Sequence, residues 1–472
     1  MSTTTVVELE NLQSKSRYRA AQFSATSTKS QSSSTTALQT SQPKNTAPSS
    51  TYTEMSSHPQ PTQSSKSTTL SQRNVSNAAS TKAPTTFSRT SPNWLSSFTF
   101  TNKYLTPENV PSYALRVALW GFYTVVQGIL GSGLWVLGHE CGHQTFSKYK
   151  VLNDSVGWVL HSILLVPYFS WKITHRNHHK GIANMRTDTS WVPFTRLAYT
   201  KYFGTTLENV IEYAEDTPIY TLFYLIAHQL ITWPVYMTLM AGVGDAWFEK
   251  QEKMKGNPNP PRNEDGTIVQ NYEFRGSHTN PYSPHFTPRD AKFIFITDIG
   301  LAITWAFLLY VGYNYGWANI AVWYGIPYLW VDHWLISLTY LHHVDGTLPP
   351  YNPSQWTFVR GAAATIDRDF GFVDRWFFHN IIGTHVLHHH VSIISHYHAA
   401  RASEAIKPVM GIHYREDQTG KGMWNFLRNF WRNSKACSWV EPSEGARGGG
   451  KDILFYSNRI GVGVKPVEMK LE

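Results

Sequence analysis

Several long stretches of this sequence lack any charged side chain, and they point to a membrane protein. Residues 117–138 form an uncharged run of 22 residues, and residues 299–331 form another of 33. A helix needs about 20 mainly apolar residues to cross a hydrocarbon core roughly 30 Å thick. Trp120, Tyr123 and Trp135 lie near the ends of the first run, as aromatic residues do at membrane interfaces. The sequence therefore predicts an all-α, membrane-embedded helical bundle.

Residues 1–95 differ sharply from the rest, because Ser and Thr dominate them and apolar residues are few. Such a stretch cannot bury enough apolar surface to offset its chain entropy, so a disordered tail is predicted there. The membrane domain is predicted over residues 96–472. Of the net charge of +9, the first 100 residues carry nine basic and three acidic residues, or +6. Basic charge that is diffuse and mostly in a tail does not indicate a nucleic-acid partner.

Histidines form three tight clusters beside the apolar runs, and a ninth histidine closes the last run. Residues three and four apart lie on one side of a helix, so each cluster is predicted to direct its imidazoles to one point. The nine candidate metal ligands and catalytic residues are His139, His143, His175, His178, His179, His343, His385, His388 and His389.

The number of histidines indicates which metal they could bind. A catalytic zinc takes three protein ligands, so nine histidines exceed what one zinc needs. They could supply two octahedral ions and leave positions for water or O2. Imidazole suits iron, and two neighbouring irons can activate O2, whereas zinc has no redox chemistry. A membrane setting and an oxidising metal pair together imply a lipid C–H bond as the target.

Other interpretations of these residues stay open. His139-Glu140 with His143 matches the H-E-x-x-H pattern of zinc proteases, which would make the chain a membrane zinc hydrolase. Two further clusters argue against that, because a protease needs only one more ligand. His342 could replace its neighbour His343.

Because metal-bound imidazoles usually donate their second N–H to a carboxylate or carbonyl, four acidic residues are candidate supports. These are Glu140, Asp188, Asp367 and Asp369. Four more histidines, His379, His390, His396 and His398, are predicted to be supporting or structural.

The topology must bring all the clusters to one side of the membrane. Spans are predicted near residues 113–138, 293–313 and 318–341, and the last two form a hairpin broken at residues 314–316. Residues 155–171 separate two clusters and so cannot cross once. Residues 217–244 must likewise lie in the interface, be re-entrant, or turn back at their prolines. Lysines and arginines near the clusters place this side in the cytosol. Residues 344–472 are predicted to form a cap there.

The histidine motifs and their neighbours closely resemble those of the membrane fatty acid desaturases, and specifically the delta-12 (oleate) desaturases of fungi and plants. The similarity runs from Leu105 to the C-terminus. It rests on the stretches 135–143, 175–179, 339–343, 365–369, 379–389 and 396–399. In that family the matching nine histidines are iron ligands, so the resemblance implies a di-iron centre in a cytosolic helical cap.

The resemblance also implies a reaction and its partners. The reaction is the O2-dependent desaturation of an oleoyl lipid to a linoleoyl lipid in the endoplasmic reticulum membrane, with the multi-pass chain's active site facing the cytosol. Electrons would come from cytochrome b5 and its NADH-dependent reductase. This chain has no His-Pro-Gly-Gly haem motif, so cytochrome b5 would be a separate partner. Alternatives within the family are an omega-3 or bifunctional desaturase, an acetylenase and an acyl hydroxylase. A non-catalytic lipid-binding relative is the alternative outside it.

The sequence departs from the family's pattern in two places. Relatives usually have another hydrophobic helix before the first cluster, but residues 93–110 are too short and polar for a span. The family usually has Gln at the position of His342 and an apolar residue at that of His390.

Overall fold

The computed structural model describes residues 93–199, 218–239, 243–260, 262, 276–443 and 445–456. The predicted tail, residues 1–95, lies almost wholly outside the described residues. The described residues are mostly helical, which confirms the predicted fold class.

The first half of the described chain contains seven main helices. They are α1 (93–104), α2 (Tyr113–Gly142), α3 (Lys150–Ile163), α4 (Tyr168–Gly181), α5 (Pro218–Leu239), α6 (Asp245–Met254) and α7 (Ala291–Tyr315).

The second half contains one long interrupted helix, a set of shorter helices and a small hairpin. The interrupted helix consists of α8 (Trp317–Ile320), a π-helical turn (Ala321–Gly325) and α9 (Ile326–His343). The shorter helices are α10 (Phe358–Ala363), α11 (Phe372–Trp376), α12 (His385–His390), α13 (His396–Met410) and α14 (Gly422–Ala436). Single 3-10 turns cover Gly411–His413 and Gly448–Asp452. Strands β1 (Val440–Pro442) and β2 (Leu454–Tyr456) pair antiparallel.

Three of the described helices are long and apolar enough to cross a membrane. They are α2, the stretch Thr221–Leu239 of α5, and α7. Helices α3 and α4 together would be a fourth, but they meet at an angle of 107°. The chain turns between them through Leu165, which has a φ of +52°, and Pro167, which precedes α4. That residues 155–171 are re-entrant stays a prediction.

The helix over residues 218–239 is continuous, and Pro234 lies inside it. Those described residues therefore do not form a hairpin at their prolines. Residues 217 and 240–242 lie outside the described part. Residues 245–290 are rich in proline, asparagine and charge, which predicts a surface loop. This prediction is wrong at its start, because Asp245–Met254 is helical. Arg186 pairs with Asp245 and Glu249 of that helix, which ties it to the loop after α4.

The hairpin of α7 and the interrupted helix turns where the sequence indicated. Helix α7 ends at Tyr315, and Gly316 adopts a φ of +94°, which side chains with a Cβ rarely tolerate. Helix α9 then runs along α2 at close range. A Cβ added to Gly128 of α2 would lie 2.2 Å from the Cβ of Trp330, so only glycine permits this approach. The interrupted helix is not among the three candidate spans, so the span near 318–341 stays a prediction.

Helices α10 to α14 and the hairpin form the cap that the sequence predicted for residues 344–472. Its core combines cap residues with residues of the bundle. Phe370, Phe378 and Phe426 are almost fully buried and pack with Trp334 and Leu338 of α9. The cap is therefore anchored on the same helix that ends at His343.

Candidate metal centre

The end of α2 brings the first two histidines to the site. His139 lies in the last turn, and His143 caps the helix one turn later, so the two side chains point the same way. Gly138 precedes them because a Cβ there would lie 2.2 Å from the ring of His161. The His161 ring stacks against Trp135 and contacts Trp171. Its Nε2–H donates to the Trp135 carbonyl at 3.2 Å. No motif or spacing in the sequence indicates this role for His161.

Five histidines from α2, α4 and α12 converge into one group. Their potential ligand atoms all lie within 4.8 Å of one another. The Nε2 of His175 is 3.0 Å from that of His139 and 2.9 Å from that of His143. The members of this five-histidine group are His139, His143, His175, His179 and His388.

A second group gathers histidines from α4, α9 and α12. Ligand atoms of His178, His343 and His389 lie within 4.8 Å of one another. His385 adjoins them, because its Nε2 is 3.2 Å from that of His343 and 3.0 Å from that of His389. These four residues are the four-histidine group. All nine sequence-predicted residues are thus brought together.

The expectation that each cluster points to a single site is wrong. In α4, His175 and His179 join the five-histidine group, whereas His178 joins the other group. In α12 the division is reversed. His388 belongs to the five-histidine group, whereas His385 and His389 belong to the four-histidine group. The reason is helix geometry: residues four apart differ by about 40° around the axis, but adjacent residues differ by about 100°. Each H-x-x-H-H motif therefore contributes to both groups.

The two groups are in direct contact. The rings of His179 and His389, one from each group, stack with their centroids 4.2 Å apart. His178 also lies edge-on to His389 at 5.2 Å. Two ions held by these groups would be close neighbours.

The arrangement of nitrogen atoms fits metal binding. Two nitrogens at right angles, each about 2.1 Å from one ion, are separated by about 3 Å, which is the spacing found between the Nε2 atoms. The Nε2 of His388 is buried and has no hydrogen-bond partner among the described residues. Burial lowers the pKa of His388 to about 3 and holds the pKa of His385 and His389 well below their ordinary value. These imidazoles are therefore neutral at physiological pH, as metal ligands must be.

Of the four candidate carboxylates, Asp188 is the one that meets a ligand imidazole directly. The Nδ1–H of His178 donates to its Oδ1 at 2.7 Å, and both side chains are buried. The second oxygen of Asp188 accepts from the backbone N–H of Ala183. This bond fixes the orientation of His178 and directs its Nε2 toward the other group members.

Glu140 connects α2 to the cap. Its Oε2 accepts from the hydroxyl of Thr145 at 2.9 Å and from the backbone N–H of His396 at 3.0 Å. Its Oε1 lies 3.8 Å from Nδ1 of His139. This carboxylate is occupied with holding α13 against α2, which is not the arrangement of a protease's general base.

Residues 365–369 support both ligand-bearing elements of the cap. Asp367 Oδ1 accepts from the backbone N–H of Val386, inside α12. The Nε–H of Arg368 donates to the carbonyl of Leu341, two residues before His343. Asp369 instead accepts from the N–H of Gly371 and meets no imidazole in a described hydrogen bond. Asp367 and Arg368 thus hold the backbone of α12 and α9 rather than any metal ligand.

The remaining neighbouring histidines have separate roles. His342 donates from Nδ1 to the Ile366 carbonyl at 2.7 Å, and its ring stacks on that of His385 with the centroids 4.2 Å apart. His390 donates from Nδ1 to the Val386 carbonyl within its own helix. His379 and His396 contact each other through their rings, 5.1 Å apart, beside Glu140. His398 contacts the ring of Tyr397.

A small cleft with a volume of about 20 Å³ opens beside the four-histidine group. His178 and His343 form part of its wall, and Trp191 and Tyr456 close another part through a 3.2 Å hydrogen bond. The rest of the lining is mainly apolar: Ile182, Ala183, Pro193, Leu348, Pro349, Pro350 and Ala364. The surface beside these two histidines is therefore largely apolar.

Comparison with known proteins decides the family. Residues 116–251 match the family model described as fatty acid desaturase. An oleate hydroxylase of Claviceps purpurea is 50% identical over 371 residues, which cover 79% of this chain and 76% of the relative. The chain belongs to the fatty acid desaturase family. The resemblance inferred from the histidine motifs is confirmed.

Two further relatives of this desaturase-family chain come from plants. A delta(12)-oleate desaturase of Trichosanthes kirilowii is 38% identical over 72% of this chain and 81% of its own length. An omega-6 fatty acid desaturase of Glycine max, named as an endoplasmic reticulum isozyme, is 36% identical over 72% of this chain and 77% of its own. This chain is therefore a multi-pass membrane oxidoreductase with a fatty acyl substrate. Its relatives' names include both hydroxylase and desaturase, so they leave the reaction product open.

Proposed function

We propose that this chain oxidises carbon 12 of an oleoyl chain carried by a membrane lipid, as a delta-12 desaturase. The observation that carries the proposal is the pair of adjoining buried histidine groups, gathered from α2, α4, α9 and α12. We also propose that residues 96–472 form the desaturase domain.

The nine histidines would hold two irons, with the five-histidine group binding one and the four-histidine group the other. When bound, the irons supply the power to activate O2 and to break an unactivated C–H bond. In desaturation, one O2, two electrons and two protons combine with the hydrogens lost from carbons 12 and 13, giving a double bond and two waters.

The protein's own residues position the substrate and exclude water. Burial lowers the pKa of the His385, His388 and His389 imidazoles, so protons compete little with the metals for their nitrogens near pH 7. Asp188 keeps His178 oriented through their 2.7 Å hydrogen bond. The apolar side chains that line the small cleft beside it would face the acyl chain. Holding a chain segment in one position beside the metals is how such a site selects one carbon among many equivalent ones.

The partners are part of the same proposal. Two electrons per turnover would come from cytochrome b5, reduced by its NADH-dependent reductase, because no haem motif occurs in this sequence. The chain would reside in the endoplasmic reticulum membrane with the histidine groups facing the cytosol. A relative named as an endoplasmic reticulum isozyme supports that location.

A second candidate, 12-hydroxylation of the oleoyl chain, is favoured by the 50% identical relative named as an oleate hydroxylase. In this reaction, one oxygen atom enters the C–H bond at carbon 12, and the other leaves as water with two protons and two electrons. Both reactions begin by removing hydrogen from carbon 12. They differ only in whether a second hydrogen or an oxygen transfer follows.

The test is the fatty acid profile of yeast that lacks linoleate and expresses the full chain. We expect new linoleate, and we expect it to disappear with His388→Ala. His390→Ala is the matched control, because His390 bonds only within its own helix in the described contacts and should leave the product unchanged.

Each alternative product has a distinct meaning. A 12-hydroxy fatty acid in place of linoleate would overturn desaturation in favour of hydroxylation. Desaturation at another carbon, such as omega-3, would overturn the assignment of carbon 12. No new fatty acid from a membrane-inserted chain that contains its metals would overturn the proposed substrate.

A further inference from the structure

The cap carries an exposed aromatic and cationic face that the histidine site does not use. It is formed by α11 and the beginning of α14. Trp424 is 80% exposed, Trp376 is 64% exposed and Phe372 is 59% exposed. Gly371 and Gly422 hold the starts of the two helices together, since a Cβ on Gly371 would lie 3.7 Å from the Cα of Gly422. We call these three aromatic side chains the aromatic patch.

Contacts with α9 show how far the patch lies from the histidines. Phe426 of α14 meets Phe370 at 4.8 Å, and Phe370 meets Trp334 of α9 at 5.3 Å. Trp334 precedes His343 by nine residues, which is about 13 Å along a helix. Farther along α14, Asn433 donates to the carbonyl of Val344. Helix α14 therefore descends beside α9, with its first turn farthest from the histidine end.

Helix α2 also contacts this part of the cap core, at a similar distance from the histidines. Ile129 packs against the core that contains Phe370 and Phe426, and it lies ten residues before His139. Ten residues correspond to about 15 Å of helix. If the candidate span α2 crosses the membrane, this stretch of the bundle lies inside the bilayer and the aromatic patch lies beside it. A soluble protein could not reach a surface at this depth.

Charge on α14 is graded along its axis. The helix carries Arg428, Arg432 and Lys435 and contains no acidic residue. Trp424, Arg428 and Arg432 are spaced by four residues, so they share one face. Each step moves about 6 Å toward the histidine end. Tryptophan at the acyl boundary with arginines extending toward the headgroups is the pattern of an interfacial helix.

From these observations we infer that α11 and α14 insert into the cytosolic leaflet, with the aromatic patch among the upper acyl chains and Arg428 and Arg432 bound to lipid phosphates. The ligand is thus a phospholipid surface, preferably anionic. Arg375 of α11 is also exposed and adds to the positive charge beside the patch.

The experiment uses the full chain in lipid nanodiscs, with a fluorophore on Trp424→Cys or on Lys451→Cys. Lys451 is exposed in the cap turn Gly448–Asp452, remote from α14 in sequence. The native Cys141 and Cys437 are buried, so the unmodified chain measures background labelling. Quenching by aqueous iodide is compared with quenching by a lipid that carries a nitroxide at carbon 5 of its acyl chain.

We expect iodide to quench the label at position 424 at least about threefold less than the label at 451, since interfacial side chains lie about 5–10 Å below the headgroup boundary. The nitroxide lipid should show the reverse order. Trp376→Cys should behave like Trp424→Cys. With phosphatidylserine present, Arg428→Gln with Arg432→Gln should weaken lipid quenching at position 424.

Equal iodide quenching at 424 and 451 would overturn the proposal. So would protection of position 424 that requires an added acidic protein, because the face would then be a protein-docking surface. If lipid quenching is unchanged in the arginine double variant, Arg428 and Arg432 do not bind lipid phosphates, and that part of the proposal is overturned. These measurements report the position of a label in the bilayer and not enzyme turnover. Their outcome is therefore independent of the proposed function.

Discussion

His178 and His388 join the two halves of the histidine site. Each lies one residue from a histidine of the opposite group, yet the roughly 100° between adjacent helix positions turns them apart. As a result α4 and α12 each contribute ligands to both groups. Any change in the register of either helix would disturb both groups at once.

The sequence identified all nine histidines but not their grouping. Spacing within a motif defines which residues share one helix face, but the meeting of α4, α9 and α12 is set by tertiary packing. The choice of His343 over His342 was also open in the sequence. The structure decides it, because His342 is turned toward the Ile366 carbonyl. No sequence pattern indicated the stacking of His161 on Trp135, since it depends on how α3 packs against α2.

Asp188→Asn tests how strongly one carboxylate supports the site. The amide keeps the size of the side chain but removes the charge that holds the His178 N–H. Loss of such a supporting carboxylate typically weakens metal affinity by about 10- to 100-fold. We therefore expect this variant to lose iron at chelator concentrations that leave the unmodified chain loaded, as measured by metal analysis of the purified protein.

Asp369→Asn is the matched control, because Asp369 accepts from Gly371 and meets no imidazole among the described contacts. Its metal retention should equal that of the unmodified chain. If both variants retain metal equally well, Asp188 does not support the site through His178.

The helices and turns that depend on local sequence agree best with the predictions made from the sequence. The uncharged runs predicted α2 and α7, and the break before Gly316 was evident from its polar residues. The 107° angle between α3 and α4 could not be predicted from the sequence. It depends on Leu165 adopting a left-handed backbone conformation, which a leucine does not indicate. Helix α6 was not predicted because its many charged residues are typical of a loop. Its acidic residues Asp245 and Glu249 pair with Arg186, which is distant in sequence.

Helix α5 illustrates a limit of composition. By length and hydropathy it could cross the membrane. However, His228 near its middle contacts Tyr340, three residues before His343. Tyr236 farther along donates to the carbonyl of Thr189, beside Asp188. Both contacts lie near the histidine level, which favours the predicted placement of α5 in the interface; that it does not cross the membrane stays a prediction.

Arg368 is the residue on which the junction between α9 and the cap depends most. Its buried guanidinium pairs with Asp345 and Asp417 and also donates to the Leu341 carbonyl. Removing one member of a buried ion-pair network typically costs about 3–5 kcal/mol, because the partner charges are left unpaired. Arg368→Gln should therefore lower the unfolding temperature of the full chain markedly, as followed by thermal melting in detergent.

Arg401→Gln provides the comparison, since Arg401 is an exposed residue of α13. Exposed substitutions of this kind usually change stability by less than about 0.5 kcal/mol. Equal melting temperatures for the two variants would mean that the Arg368 network does not stabilise the cap.

At the level of the whole molecule, the bundle and the cap share one core, and the histidine site lies where they meet. Trp334 and Leu338 of α9 pack with Phe370 and Phe378 of the cap. Glu140 adds a polar connection from α2 to α13. The sequence could predict that a cap exists, but its contacts run between residues up to 265 positions apart and follow no local pattern.

The measurement that tests this account most directly is the metal content of the purified full chain. We predict two irons per chain, and one iron per chain after His143→Ala, because only the five-histidine group loses a ligand. A single zinc per chain, or an iron content that His143→Ala leaves unchanged, would contradict the assignment of one iron to each histidine group.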